Sequence, residues 1–192
     1  DLKVYPVGMP IQAAAEAMEK LLRRHGFGPS DVARVVCGLP TFKVHVVDGR
    51  HMPDINLQYV LAVIIMDGGL GFHSARDYSR RNGELAPLME RIQLVGDAAL
   101  DPVPGMAESN RRASMQVWLK DGRCLSERVD AARGSRLNPL DWDAVEHKAR
   151  SVLGAVGVAE QRIAALISKV RDLENVESMH EIGVLMAGSG RE

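Results

Sequence analysis

Aromatic residues are scarce in this chain: three Phe, two Trp and three Tyr make up 4% of 192 residues. The core must therefore be assembled mainly from Val, Leu, Ile, Ala and Met. Cysteine is scarcer still. Cys37 and Cys124 stand far apart in apolar, strand-like contexts, the pattern of two reduced, buried thiols in a cytoplasmic protein rather than of a disulfide framework. The longest apolar run lies near residues 59–66, far short of the ~20 residues that cross a bilayer. No signal peptide is visible, and no membrane partner is expected. A net charge of −1 lacks the basic excess of a general nucleic-acid binder, although a local basic pocket for a small anion remains open.

Several chemical signatures are absent too. Gly68-Gly69-Leu70-Gly71 lacks the Lys-Ser/Thr that completes a phosphate-cradling loop, so these glycines read as a helix end. His180-Glu181 has Val184 where a zinc helix would place its second His, and the six histidines are scattered. There is no Gly-x-Ser-x-Gly elbow. Neither a metal nor a cofactor is expected.

What is present is an ordinary globular composition, 46% apolar and 26% charged, which excludes a disordered chain. Pro6 and Pro10 keep the first ten residues extended. A helix follows from Ile11, with Ala14, Ala15, Met18, Leu21 and Leu22 at helical spacing, cations in the last turn and Gly26 to close it. The β-branched stretches 31–38 and 41–48 predict two strands, with Lys43 and His45 on the face opposite Val44 and Val46. The spacing predicts a buried helix over 55–67, capped by Asp54 or Asn56 and ended by Gly68-Gly69. Residues 74–82 and 85–91 read as two shorter helices and 92–96 as a strand. A proline-rich connection at 101–105 leads to a hairpin, arms 112–120 and 123–130, whose Asp121-Gly122 turn is expected to need positive φ at both central positions.

From Leu140 the pattern becomes purely helical. Asp141 caps a helix carrying Val145, Ala149, Val152 and Leu153; a second spans about 158–173, and a weaker third spans 176–186. The fold class is therefore α+β: a small domain over residues 1–138, with antiparallel strands and a β-hairpin, followed by a helical tail over 139–192. The tail's apolar stripes call for a partner surface.

Three places carry candidate chemistry. In Lys3-Val4-Tyr5-Pro6, either Lys3 is solvated beside a packed Tyr, or Pro6 stiffens an extended segment that offers Lys3 to an anionic substrate. Arg50-His51, before Pro53, is either a solvated loop or a carboxylate-binding pair with His as acid or base. Tyr59 lies in an apolar helix and its hydroxyl needs a partner: a backbone carbonyl in the core, or a substrate in a pocket.

The order of these segments resembles the MmgE/PrpD family, which includes 2-methylcitrate dehydratase. Leu2-Lys3-Val4-Tyr5-Pro6 and the Ala-rich helix after it are similar to the family's Lys-x-Tyr/Phe-Pro segment. Pro53 to Ala62, closing at Asp67-Gly68, is similar to its Ser-x-x-Tyr helix. Asp121-Gly122 falls at a common hairpin position, and Arg133-Gly134, Asn138-Pro139-Leu140 and Lys148 resemble the entry to the C-terminal helices. The resemblance implies a lyase (dehydratase) or isomerase that moves a proton next to a carboxylate of a di- or tricarboxylate. It also implies an active site completed by an all-helical domain that these residues do not supply. Lys3 and Tyr59 would be catalytic, Lys3 neutralising carboxylate charge and Tyr59 orienting substrate or relaying a proton. Gln12, Arg50, His51 and Asn56 would bind substrate. Gln12 stands where many members carry His, and Asn56 where Ser is common. Gln hydrogen-bonds but does not exchange protons near neutral pH, which fits another substrate, another reaction, or a non-catalytic partner subunit. A homodimer, or a hetero-oligomer with a helical partner, is the implied assembly.

Overall fold

The computed structural model describes residues 1–74, 78–102 and 111–187, and divides into two compact units, Asp1–Leu140 and Asp141–Glu192. In the first unit, a 3-10 turn at Met9–Ile11 leads into α1 (Gln12–His25). Gly26, at φ 60°, closes that helix by donating its N–H to the Leu22 carbonyl, and Arg23, Arg24 and His25 face the negative end of the dipole. Nearly all of the first half of α1 is buried, including Ala13, Ala14, Ala15 and Ala17. Small side chains let it lie close to its neighbours.

Four strands form one mixed sheet: β1 (Val32–Leu39), β2 (Ile92–Gly96), β3 (Ala113–Leu119) and β4 (Cys124–Val129), in the order β2-β1-β3-β4. The β1–β3 and β3–β4 pairs are antiparallel as expected, while β1–β2 is parallel. A parallel pair needs a long crossover, supplied here by α2 (Val44–Val47), α3 (Leu57–Asp67) and α4 (Tyr78–Met89). Val35, Cys37, Met115, Val117, Leu125 and Val129 alternate onto the buried face, where α1 and α3 join the same hydrophobic cluster. Arg34, Val36, Gln116 and Trp118 alternate onto the other face, where the Arg34 guanidinium stands 5.5 Å from the Trp118 ring centre.

Four expectations are corrected. Residues 41–48 form no strand: Thr41–Lys43 is a 3-10 turn leading into α2. Asp101 takes the Thr41 N–H at 2.6 Å and its hydroxyl at 2.8 Å, and Lys43 N–H bonds Pro40 carbonyl at 2.8 Å. The Pro40–Lys43 turn together with this distant Asp101 contact overrides the β preference of the valines, so Lys43 and His45 share no strand face. The two short helices expected at 74–82 and 85–91 are one helix from residue 78, running through Pro87; residues 75–77 lie outside those described. Cys124 is exposed rather than buried. In the hairpin only Gly122 has positive φ, at 89°, and Gly122 N–H bonds Leu119 carbonyl at 3.1 Å. That is a turn of ordinary hand followed by a glycine bulge, not a mirror-image turn. Residues 103–105 of the expected proline-rich connection also lie outside those described.

The second unit holds α5 (Trp142–Ala155), capped by Asp141, then α6 (Glu160–Arg171) and α7 (Met179–Met186). Ile163 and Ile182 are its buried apolar residues among those described. Trp142, Val156, Met179, Val184 and Met186 are each more than half exposed.

Candidate functional site

The first eight residues form an extended strap stitched down at three points. Leu2 N–H bonds Gly134 carbonyl at 2.8 Å, and Gly8 N–H bonds Asp54 carbonyl at 2.7 Å. Between them, the Gln12 amide oxygen accepts Tyr5 N–H at 3.1 Å, while its nitrogen donates to the Tyr5 and Val7 carbonyls at 2.9 and 3.3 Å. Tyr5 and Val7 point inward and are buried, whereas Lys3 and Pro6 are exposed. Strict alternation would put Lys3 on the face of Tyr5 and Val7, but the chain bends at residues 4–7 and Lys3, ahead of those bends, is exposed.

Gln12 is 2% exposed, and its amide clasps the strap's own backbone. Tyr5 donates its hydroxyl to Glu19 at 2.9 Å. Burial first, then the neighbouring Glu19 carboxylate, raise its pKa well above the usual phenol range. One turn from Gln12 lies Glu16, also buried, which accepts the Arg133 N–H at 2.8 Å and pairs with Lys20 at 2.8 Å. Sequence reading missed Glu16. The available signal was a lone carboxylate in an otherwise apolar Ala-rich stripe, four residues after Gln12.

Asn56 caps α3: its side-chain oxygen accepts Tyr59 N–H at 3.0 Å, as a helix N-cap does. Its amide nitrogen donates to Arg50 carbonyl at 2.6 Å. Arg50 and Asn56 are thus tied together, but through the Arg50 backbone; the Arg50 and His51 side chains are exposed. Tyr59 is 1% exposed, and its hydroxyl donates to the Ser74 carbonyl at 2.6 Å. The Ser74 carbonyl lies in the loop after α3. Delivering the Tyr59 proton to a ligand requires that bond to exchange.

The strap links the two clusters, since Gly8 joins it to the 53–55 turn and Gln12 clasps its middle. Chemically, the arrangement offers an exposed lysine side chain on a fixed backbone, and separately a buried phenol and two buried amides. The Lys3 and Tyr59 side chains serve different surroundings, one exposed and one in the core. A groove of about 680 Å³ lies elsewhere, over Gly38, Gln116 and Arg128. Among the described residues, no three His, Cys, Asp or Glu side chains gather as a metal would require.

Residues 5–172 match the MmgE/PrpD C-terminal domain. The chain is 24% identical over 184 residues to human (Homo sapiens) cis-aconitate decarboxylase, a match covering 92% of this chain and 36% of that protein. The chain thus spans about a third of the length of the curated relative it matches. With the domain match running from inside the strap through α6, this chain belongs to the MmgE/PrpD family and carries its C-terminal domain.

Proposed function

We propose that this chain is the α+β part of a lyase or isomerase that moves a proton at the carbon next to a carboxylate of a di- or tricarboxylate substrate. The observation that carries the reading is the strap. Its backbone is fixed by Gly134, Gln12 and Asp54 while the Lys3 side chain is exposed, which suits a cation offered to a carboxylate arriving from outside this chain. In a dehydration the substrate loses a C–H proton and a hydroxyl. In a decarboxylation, the reaction named for the human relative, a carboxylate leaves as carbon dioxide and the carbon keeping the electron pair takes a proton. Both build charge beside carboxylates, and a fixed ammonium lowers that cost. Tyr59 orients substrate or relays a proton after exchanging its bond to Ser74. Arg50, His51, Asn56 and Gln12 shape the binding side. An all-helical region completes the site in cis or in trans, the tail of α5 to α7 docks on it, and the assembly works in the cytoplasm as a dimer or hetero-oligomer.

One observation favours a second reading, a non-catalytic partner subunit: the Gln12 amide is engaged with the backbone of Tyr5 and Val7. The two separate in one experiment. The chain is combined with an all-helical family region, fused upstream or added as a second chain. Double-bond formation from hydroxycarboxylates is followed by ultraviolet absorbance, and carbon dioxide release from cis-aconitate is followed in parallel. Lys3→Ala is expected to lower kcat/KM by roughly 10²-fold or more, and Tyr59→Phe by roughly 10²-fold. Full activity in both variants would remove these residues from the site; no turnover in any combination would favour the partner-subunit reading.

A further inference from the structure

We propose that Glu16 is a positioning residue, its buried carboxylate setting the turn at Arg133-Gly134 and, through that turn, the strap that presents Lys3. The proposal deepens the reading above, because it assumes that the placement of Lys3 matters to substrate. Glu16 is 1% exposed on the buried side of α1, near Ala13 and Ala17 and one turn from Gln12. A carboxylate there is costly unless it is paired and hydrogen-bonded. It is both: one oxygen accepts Arg133 N–H at 2.8 Å from 117 residues away, and the other meets the Lys20 ammonium at 2.8 Å. The next residue, Gly134, hands its carbonyl to Leu2 N–H at 2.8 Å and donates its own N–H to Asn138 carbonyl at 2.7 Å.

Gly134 has φ +83°, and a Cβ added there would overlap the Leu2 carbonyl oxygen. The two backbones approach too closely for any other residue, so the turn has one workable seat. Gln12 and Glu16 are one helical turn apart and share a face. That face therefore holds both anchors flanking Lys3: Gln12 at Tyr5, and Glu16 at the turn that takes Leu2. Within α1 the carboxylate meets Lys20; across the fold it meets the Arg133 amide.

The test is competitive acylation of Lys3 against the exposed Lys120 by a pulse of acetic anhydride, read by mass spectrometry on Glu16→Leu, Glu16→Gln and Gly134→Ala. Glu16→Leu and Gly134→Ala are expected to change the Lys3:Lys120 ratio by roughly threefold or more as the strap opens locally. Glu16→Gln, whose amide oxygen still accepts the Arg133 N–H, is expected to restore the native ratio. Should Glu16→Leu fail to fold, Gly134→Ala carries the result. An unchanged ratio in folded Glu16→Leu, or in Gly134→Ala where it stands in, overturns the proposal. In a combination that turns over, Glu16→Leu is expected to raise KM for the carboxylate while Glu16→Gln does not; a loss of thermal stability with KM unchanged would reduce Glu16 to a structural role. Because acylation needs no turnover, the positioning result stands or falls separately from the assigned reaction.

Discussion

Cys37 and Cys124 divide the thiol chemistry between core and surface. Cys37 is fully buried in β1, and burial pushes its pKa up to about 12, so the native thiol keeps its proton and stays inert. Cys124 is exposed. Titration with an aromatic disulfide reagent at pH 8 is expected to show one fast equivalent, lost in Cys124→Ser, and a second only on unfolding. The same burial has a pH consequence. In the unfolded chain a Cys ionises near 8.5, whereas Cys37 holds its proton to about 12 in the native state. Between those values the unfolded state binds fewer protons, so stability is fully present below about pH 8.5 and falls as pH rises, by up to about 1.4 kcal/mol per unit. Urea midpoints from pH 7.5 to 10 are expected to decline, and to decline less in Cys37→Ala. An equal slope in both proteins would assign the loss to other groups.

At the scale of elements, local chemistry and packing compete, and the hairpin shows the balance most plainly. The β3 and β4 arms pair in register from Ala113 opposite Val129 to Trp118 opposite Cys124. The turn depends on Gly122 at φ 89°, while Asp121 accepts the Arg123 N–H at 3.0 Å. An L side chain in that conformation costs about 1 kcal/mol. Gly122→Ala is expected to lower stability by about that much, read as a shift of the urea midpoint with the slope unchanged, since the rest of the sheet is untouched. The hairpin was legible because Asp-Gly between alternating arms is a short-range signal. The turn's hand was not, because it depends on how the bulge meets the twist of the sheet. Residues 41–48 went the other way. Their valines favour a strand, but Asp101, sixty residues distant, claims Thr41, and no local pattern reports that contact.

For the whole molecule, the distribution of core is the governing fact. The main hydrophobic cluster runs from Tyr5 to Ala132, while the tail buries Ile163 and Ile182 among its described residues and exposes Trp142, Met179 and Met186. A helical piece of this size with so little core among its described residues is expected to be marginal alone. A fragment of residues 1–140 is expected to melt cooperatively near the temperature of the full chain, while 141–192 alone is expected to show weak helical circular dichroism. The full chain is expected to bind an apolar dye that an all-helical family region then displaces. A stably helical isolated tail, or a monomer that binds no dye, would contradict the proposed docking role.

The local patterns of the sequence determined α1, β1, α3, β2, the hairpin arms and the helical character of the tail, because periodicity, capping residues and turn dipeptides act over a few neighbours. The order of its motifs also determined the family, now borne out by the domain match over residues 5–172. Tertiary structure decided the rest. It made β1–β2 parallel, turned residues 41–48 into a helical turn, committed Gln12 to the strap and brought Glu16 to Arg133 across 117 residues. A buried amide or carboxylate seeks whichever backbone group packing brings within 3 Å, and which group that is depends on the whole fold rather than on the spacing of residues along the chain.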